Sequence, residues 1–238
     1  MEQRVILALD GIDYDHVADY ALEFGPHAAG IKLGTGLLHR PWALAHLAQK
    51  HFSCGERPLL LMADLKLWDV SHTLAAHVKR FPHAAFITVN AANSRAALYA
   101  AAQVAPHSLT VVTILTEMTS EECEHLHGAP PEHIVPRFAK WGVDCGASAV
   151  VCSAKESSQL RKMPCMSGIA LITPGIVPAW APWANQACAE RSATPAEAIR
   201  AGADWLVIGS AILKAPKPRE ALRRINEEVC HALSVRAS

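Results

Sequence analysis

The chain has 238 residues, 51% of them hydrophobic and 18% charged, and its 22 basic and 22 acidic residues cancel. Such a chain can bury a large core, and its length suits a single domain. Zero formal net charge excludes a global pull toward nucleic acid or an anionic membrane surface, so an anionic ligand must be held by local charges.

Short apolar runs recur, most ending in a polar residue or a glycine. In order they are Val5–Asp10, Ala29–Gly34 (with Lys32 inside it), Leu59–Asp64, Ala85–Asn90, Thr110–Thr116, Ser148–Cys152, Gly168–Thr173 and Trp205–Gly209. Their length and content suit strands buried on both faces. Val5 to Leu9 is too short for a signal-peptide core or a membrane span. Between the runs lie helical spacings. Val70, Leu74 and Val78 recur every four residues. Thr194-Pro195-Ala196-Glu197 is a capping box with proline at the first helical position, closed by Gly202. After Pro218, the residues Leu222, Ile225, Val229 and Leu233 share one face. Strands alternating with helices imply a parallel sheet with right-handed crossovers. Eight repeats favour closure into a (β/α)8 TIM barrel, for which about 250 residues is typical, with an open doubly wound sheet as the alternative. No linker divides the chain, so residues 1–238 are expected to form one domain.

Two connections are long. Glu117 to Pro136 carries acidic residues, histidines and prolines, and Val177 to Arg191 contains Trp180, Pro182 and Trp183. Both follow strands, on the face where barrels keep their active sites, and both are expected to be loops of lid type. Cys123, His125 and His127 alternate in the first, but three candidates on an acidic loop are a weak metal signal, and no metal is expected. The two tryptophans could stack on a base, although packing on the barrel rim is the commoner role. The seven cysteines are odd in number and form no CxxC pair, which points to reduced thiols in a cytoplasmic protein.

The strongest chemical signal is Asp64-Leu65-Lys66-Leu67-Trp68-Asp69. Asp64 ends the third strand, and Lys66, two residues on, shares its side if extended geometry persists. Asp69 is expected to open the next helix, and Lys32 in the neighbouring strand could approach Asp64. Alternating carboxylates and ammoniums at the catalytic face can keep a lysine protonated beside a developing carbanion. The same pattern could also be a salt-bridge set that merely closes the barrel top.

The segment Asp64 to Thr73 resembles the Asp-x-Lys-x-x-Asp-Ile-Pro-x-Thr signature of the orotidine 5'-phosphate decarboxylase family. Leu7-Ala8-Leu9-Asp10, Ile31-Lys32-Leu33-Gly34, Val112 to Thr116, Thr173-Pro174-Gly175-Ile176 and Thr194 through Gly209 follow in family order, so the resemblance covers nearly the whole chain. It implies roles. Lys66 donates a proton to the carbanion carbon, and Asp64 stresses the substrate carboxylate and orients the lysines. Lys32 bridges Asp64 and the ribose, and Asp10 binds ribose hydroxyls. Asp69 and Thr73 reach the site of a partner subunit in a homodimer. Thr116, Pro174, Gln186, Gly209 and Ser210 are carried over as substrate-binding positions. No metal or organic cofactor is implied, and the substrate is a small nucleotide rather than nucleic acid.

The phosphate end departs from the family. Ser210 stands where an arginine usually follows Val-Ile-Gly, and Val177 where a second follows Thr-Pro-Gly-Ile. Asn90, Ser94, Ser71 and Glu117 replace the usual histidine, glycine, proline and serine, and Asn185-Gln186 is a displaced counterpart of an Asp-Gln pair. Lys214, Arg191 or backbone N–H groups from Gly209 to Ala211 could replace the lost charge. Three readings follow: decarboxylation of orotidine 5'-phosphate or a close nucleoside relative, decarboxylation of a sugar-acid phosphate, and a non-catalytic ligand-binding barrel.

Overall fold

The computed structural model describes residues 3–40, 42–52, 58–182 and 191–237. Eight strands pair in parallel in chain order: β1 (Val5–Ala8), β2 (Gly30–Leu33), β3 (Leu60–Leu67), β4 (Phe86–Asn90), β5 (Leu109–Val112), β6 (Ala149–Val151), β7 (Ala170–Thr173) and β8 (Trp205–Ile208). β8 also pairs with β1, so the sheet closes into a barrel and the open-sheet alternative is excluded. Helices cover it: α1 (Tyr14–Phe24), α2 (Trp42–Phe52), α3 (Ser71–Val78), α4 (Arg95–Val104), α5 (Ser120–His127), α6 (Pro131–Asp144), α7 (Ala154–Arg161), α8 (Pro195–Ala201), α9 (Ser210–Leu213) and α10 (Pro218–Ala237).

Strand alternation divides the apolar residues into two cores. Ile6, Ala8, Met62, Phe86, Val112, Val151, Ile172 and Val207 fill the barrel interior. Their neighbours in sequence, among them Leu7, Ile31, Ala63, Ile87, Val111 and Leu206, join the layer between sheet and helices. In register, Ala8 lies beside Lys32, Lys32 beside Met62, and Met62 beside Phe86. A side chain's parity therefore decides whether it faces ligand or helix.

The capping box at Thr194 forms as expected, with Glu197 accepting from the Thr194 backbone and Gly202 left-handed at φ 111°. On α10, Leu222, Ile225 and Val229 are fully buried. Three expectations are corrected. The stretch from Glu117 to Pro136 is largely helical: Thr119 and Glu122 cap α5 reciprocally, Gly128 ends it at φ 79°, and Pro131 starts α6, which runs through Pro136. The polar composition that suggested a loop belongs to a mostly solvent-facing helix. Leu74 and Val78 are buried as expected, but Val70 is 59% exposed, because it precedes the first turn of α3. β5 ends at Val112 rather than Thr116. Trp180 packs partly buried against the core, beneath the Arg224 guanidinium at 4.4 Å. Trp183 lies outside the described residues. Among the described residues no helix is long and apolar enough to cross a membrane.

Candidate active site

Asp10, Lys32, Asp64 and Thr88 all continue the interior parity of their strands, two residues beyond Ala8, Gly30, Met62 and Phe86. They meet at the C-terminal mouth of the barrel. The Lys32 ammonium bridges Asp10 and Asp64, donating to Asp64 Oδ2 at 2.9 Å. Lys66 Nζ lies 2.8 Å from the same Asp64 oxygen. The other oxygen, Oδ1, accepts from the Thr88 hydroxyl at 3.0 Å. Asp64 and Lys32 have side chains only 9% and 8% exposed, whereas those of Lys66 and Asp10 are 42% and 55% exposed toward solvent. The charged groups that sequence reasoning assembled do converge, in the order Asp10, Lys32, Asp64, Lys66.

Lys66 has a backbone φ of +48°, a left-handed conformation that costs an L-residue roughly 1–2 kcal/mol. The pairing of β3 with β4 slips between Ala63 and Leu67, and this turn of the backbone sits within the slip. Two buried side chains from the β4 side hold the irregular stretch. Thr88 accepts the Lys66 N–H at 2.9 Å. Asn93 donates to the Leu67 carbonyl at 2.9 Å and accepts the Asp69 N–H at 3.1 Å. Sequence reasoning missed both residues. Thr88 was detectable in principle, as a polar residue at an inward position of β4, two residues beyond Phe86.

Burial alone would raise the Asp64 pKa, but the charges of Lys32 and Lys66 and their hydrogen bonds outweigh it and hold the carboxyl below its ordinary value. Burial alone would lower the Lys32 pKa, but the Asp64 charge and the hydrogen bonds to Asp10 and Asp64 outweigh that and raise it. The pair is therefore ionised at neutral pH. Cys152 lines the same cavity, but burial pushes its thiol up to about 12, so it is a neutral wall rather than a nucleophile.

Above the barrel core the cluster borders a cavity of about 390 Å³, a volume suited to a small molecule. Met62, Val112, Val151 and Val207 form its floor, and Asp10, Thr116, Pro174 and Gly209 are among the residues that line it. Glu117 adds a carboxylate to its wall. Asp69, Thr73 and Ser210 are absent from the lining. Asp69 is exposed and lies two residues before α3 instead of opening it, because Val70 is the N-cap. Ser210 is exposed at the start of α9. Gln186 lies outside the described residues. Arg191, a candidate for the lost charge, is 5% exposed and pairs through Nη2 with the equally buried Glu156 at 3.1 Å, while its Nε and Nη1 have no hydrogen-bond partner among the described residues. Cys123 points into the core while His125 faces solvent, since two residues on a helix turn about 200°. Among the described residues no three His, Cys, Asp or Glu side chains gather as a metal site.

Comparison with known proteins agrees with this geometry. The sequence model of the orotidine 5'-phosphate decarboxylase / HUMPS family matches residues 3–225. The chain is 35% identical over 237 residues to orotidine 5'-phosphate decarboxylase of Thermobifida fusca (strain YX), covering 96% of this chain and 97% of that protein. It is 35% identical over 240 residues to the Nitrosomonas eutropha protein of the same name, covering 98% and 99%. The crystal structure of orotidine 5'-phosphate decarboxylase from Lactobacillus acidophilus superposes with a TM-score of 0.76 at 25% identity, covering 96% of this chain and 99% of that one.

Proposed function

The chain belongs to the orotidine 5'-phosphate decarboxylase / HUMPS family, and from that premise we propose that it is a carbon–carbon lyase of pyrimidine biosynthesis, converting orotidine 5'-phosphate to uridine 5'-monophosphate. The observation that carries the reading is the Asp10–Lys32–Asp64–Lys66 array at the mouth of a cavity with an apolar floor. Asp64 is ionised and held by three donors, so it cannot move away from an incoming carboxylate. The repulsion is relieved when the ring carbon–carboxyl bond breaks, carbon dioxide leaves, and the electron pair stays on the ring carbon. The Lys66 ammonium stabilises that charge and delivers a proton to the carbon, and its amine regains a proton from solvent. Fixed charges that need no rearrangement during the reaction lower the barrier, and each ~1.4 kcal/mol is tenfold in rate. The residues supply the charge stabilisation and the proton themselves, and the proposed reaction uses no metal or organic cofactor. Lys32 carries the link onward to Asp10, at whose carboxylate the ribose hydroxyls are bound.

The catalytic unit in this reading is a homodimer. Asp69 and Thr73 stand outside their own chain's cavity, and Trp68 and Val70 beside them are 71% and 59% exposed, an apolar surface suited to a second copy. We place the protein in the cytoplasm, where the buried thiols of Cys123, Cys145 and Cys152 remain reduced.

One observation favours a second reading, in which the substrate is a nucleoside carboxylate without the 5'-phosphate. Lys32 and Lys66 are the lysines lining the described cavity, both are engaged by Asp64, and Glu117 adds negative charge. Residues 183–190, which lie outside the described residues, include no lysine or arginine in their sequence. Release of carbon dioxide from orotidine 5'-phosphate and from orotidine, each with chelator present, tests both readings. Turnover of the phosphorylated substrate supports the first, turnover of orotidine alone supports the second, and turnover of neither refutes decarboxylation of this substrate class.

A further inference from the structure

We propose that Thr88 is a positioning residue for this decarboxylation, whose hydroxyl fixes both the backbone of Lys66 and the carboxylate of Asp64. The proposal rests on the functional reading above and adds to it a group that touches no substrate. Thr88 is fully buried on β4, and its hydroxyl oxygen sits between the two residues, accepting the Lys66 N–H at 2.9 Å and donating its one proton to Asp64 Oδ1 at 3.0 Å. A hydroxyl is suited to this task, because it can accept and donate at once.

The need for such a group follows from the strand. Regular pairing between β3 and β4 is interrupted from Ala63 to Leu67, so the Lys66 N–H has a side-chain acceptor from β4 in place of a carbonyl. Lys66 also holds the left-handed backbone, with φ +48°, that turns its side chain back toward Asp64 Oδ2. Two bonds from one hydroxyl thus set three things: the backbone at Lys66, the rotation of the Asp64 carboxylate, and thereby which Asp64 oxygen is left for the two lysines. Lys32 and Lys66 share Oδ2, while Oδ1 is the oxygen that Thr88 holds. Asn93 fixes the following residues through Leu67 and Asp69, so Lys66 lies between two anchored points.

Thr88→Val keeps the shape of the side chain and removes the hydroxyl. The Lys66 N–H and Asp64 Oδ1 then lose their partner, and the lysine backbone is no longer held in its unfavourable conformation. A displacement of about 1 Å at a reacting group can cost on the order of 100-fold in rate. Thr88→Val is expected to lower kcat for orotidine 5'-phosphate by about that factor with KM changed less than roughly threefold, and Thr88→Ser to remain within about fivefold of the parent protein. Thr88→Ala compared with Thr88→Ser isolates the hydroxyl if the valine variant does not fold. Amide hydrogen exchange at Lys66 provides a readout that needs no turnover: it should accelerate at least about tenfold in the valine and alanine variants and stay slow in the serine variant. Equal activity in the hydroxyl-bearing and hydroxyl-free variants, equal loss in both, a loss confined to KM, or unchanged exchange at Lys66 would overturn the proposal. If the parent protein releases no carbon dioxide, the functional reading fails separately, and the exchange measurement still decides whether Thr88 holds Lys66.

Discussion

Lys32→Met should destabilise the protein severely, in a way that depends on pH. The side chain it replaces is 8% exposed and bridges Asp10 and Asp64, and the Asp64 side chain is itself only 9% exposed. Methionine keeps most of the volume but leaves Asp64 with one ammonium, Lys66, instead of two. Removing one partner of a buried ion pair costs about 3–5 kcal/mol. A domain has on the order of 5–15 kcal/mol in total, so the loss is a large share of it. At about 2–4 °C per kcal/mol for a chain of this size, Tm should fall by roughly 6–20 °C at pH 7. The sign of the pH dependence follows from Asp64. Its folded pKa lies below the unfolded value, so it contributes stability above the unfolded carboxylate pKa and loses it as pH falls through the folded one. Without Lys32 the folded pKa rises, because burial is then opposed chiefly by Lys66. Protonation of Asp64 removes a buried charge that then has only Lys66 against it, so the deficit of the variant is largest at neutral pH and shrinks toward about pH 4. Urea unfolding of both proteins across that range measures it. A deficit under about 1 kcal/mol at pH 7, or one that does not change down to pH 4, would refute the electrostatic account of the cluster.

If Asp69 serves the partner's site, mixing inactive Lys66→Ala and Asp69→Ala proteins should restore part of the activity, because one site of each hybrid dimer carries neither lesion; proven subunit exchange without rescue contradicts shared sites. The 5'-phosphate should raise kcat/KM less than remote phosphate binding can, since Ser210 lacks the cation of the family's usual arginine, and a hydrogen bond from a charged group is worth roughly 1.5–3 kcal/mol. Comparing orotidine 5'-phosphate with orotidine on the parent protein and on Ser210→Arg should show a larger phosphate effect in the variant. A large effect in the parent, unchanged by Ser210→Arg, identifies another cation, for which Lys214→Ala is the test.

All eight strands were legible because a barrel strand buried on both faces leaves a short continuous apolar run, ended here in most cases by a polar residue or a glycine. The same logic exposed Asp10, Lys32 and Asp64, charged residues at the ends of such runs. Thr88 stayed hidden because threonine is an ordinary strand residue, and only the slip in β3 gives its hydroxyl a task. α5 is hard to tell from a loop in the sequence because its one buried residue, Cys123, leaves almost no apolar stripe; its helix signal is the capping box, Thr119 with Glu122. Arg191 closes a long connection in the sequence. Its pairing with Glu156, 35 residues away, is a tertiary contact that local pattern does not carry. Gln186 and Trp183 lie outside the described residues, so their expected roles stand as proposals.

The central claim is that Lys66, held against Asp64, is the proton donor of a decarboxylase. It is tested most directly by carbon dioxide release from orotidine 5'-phosphate with the parent protein and with Lys66→Ala, folding being checked by circular dichroism. Loss of a positioned general acid typically costs 10²–10⁴-fold, and loss of its charge beside the carbanion adds to that, so the account predicts a folded variant with turnover reduced at least about a thousandfold. A folded Lys66→Ala protein that keeps a tenth or more of the parent turnover would contradict it.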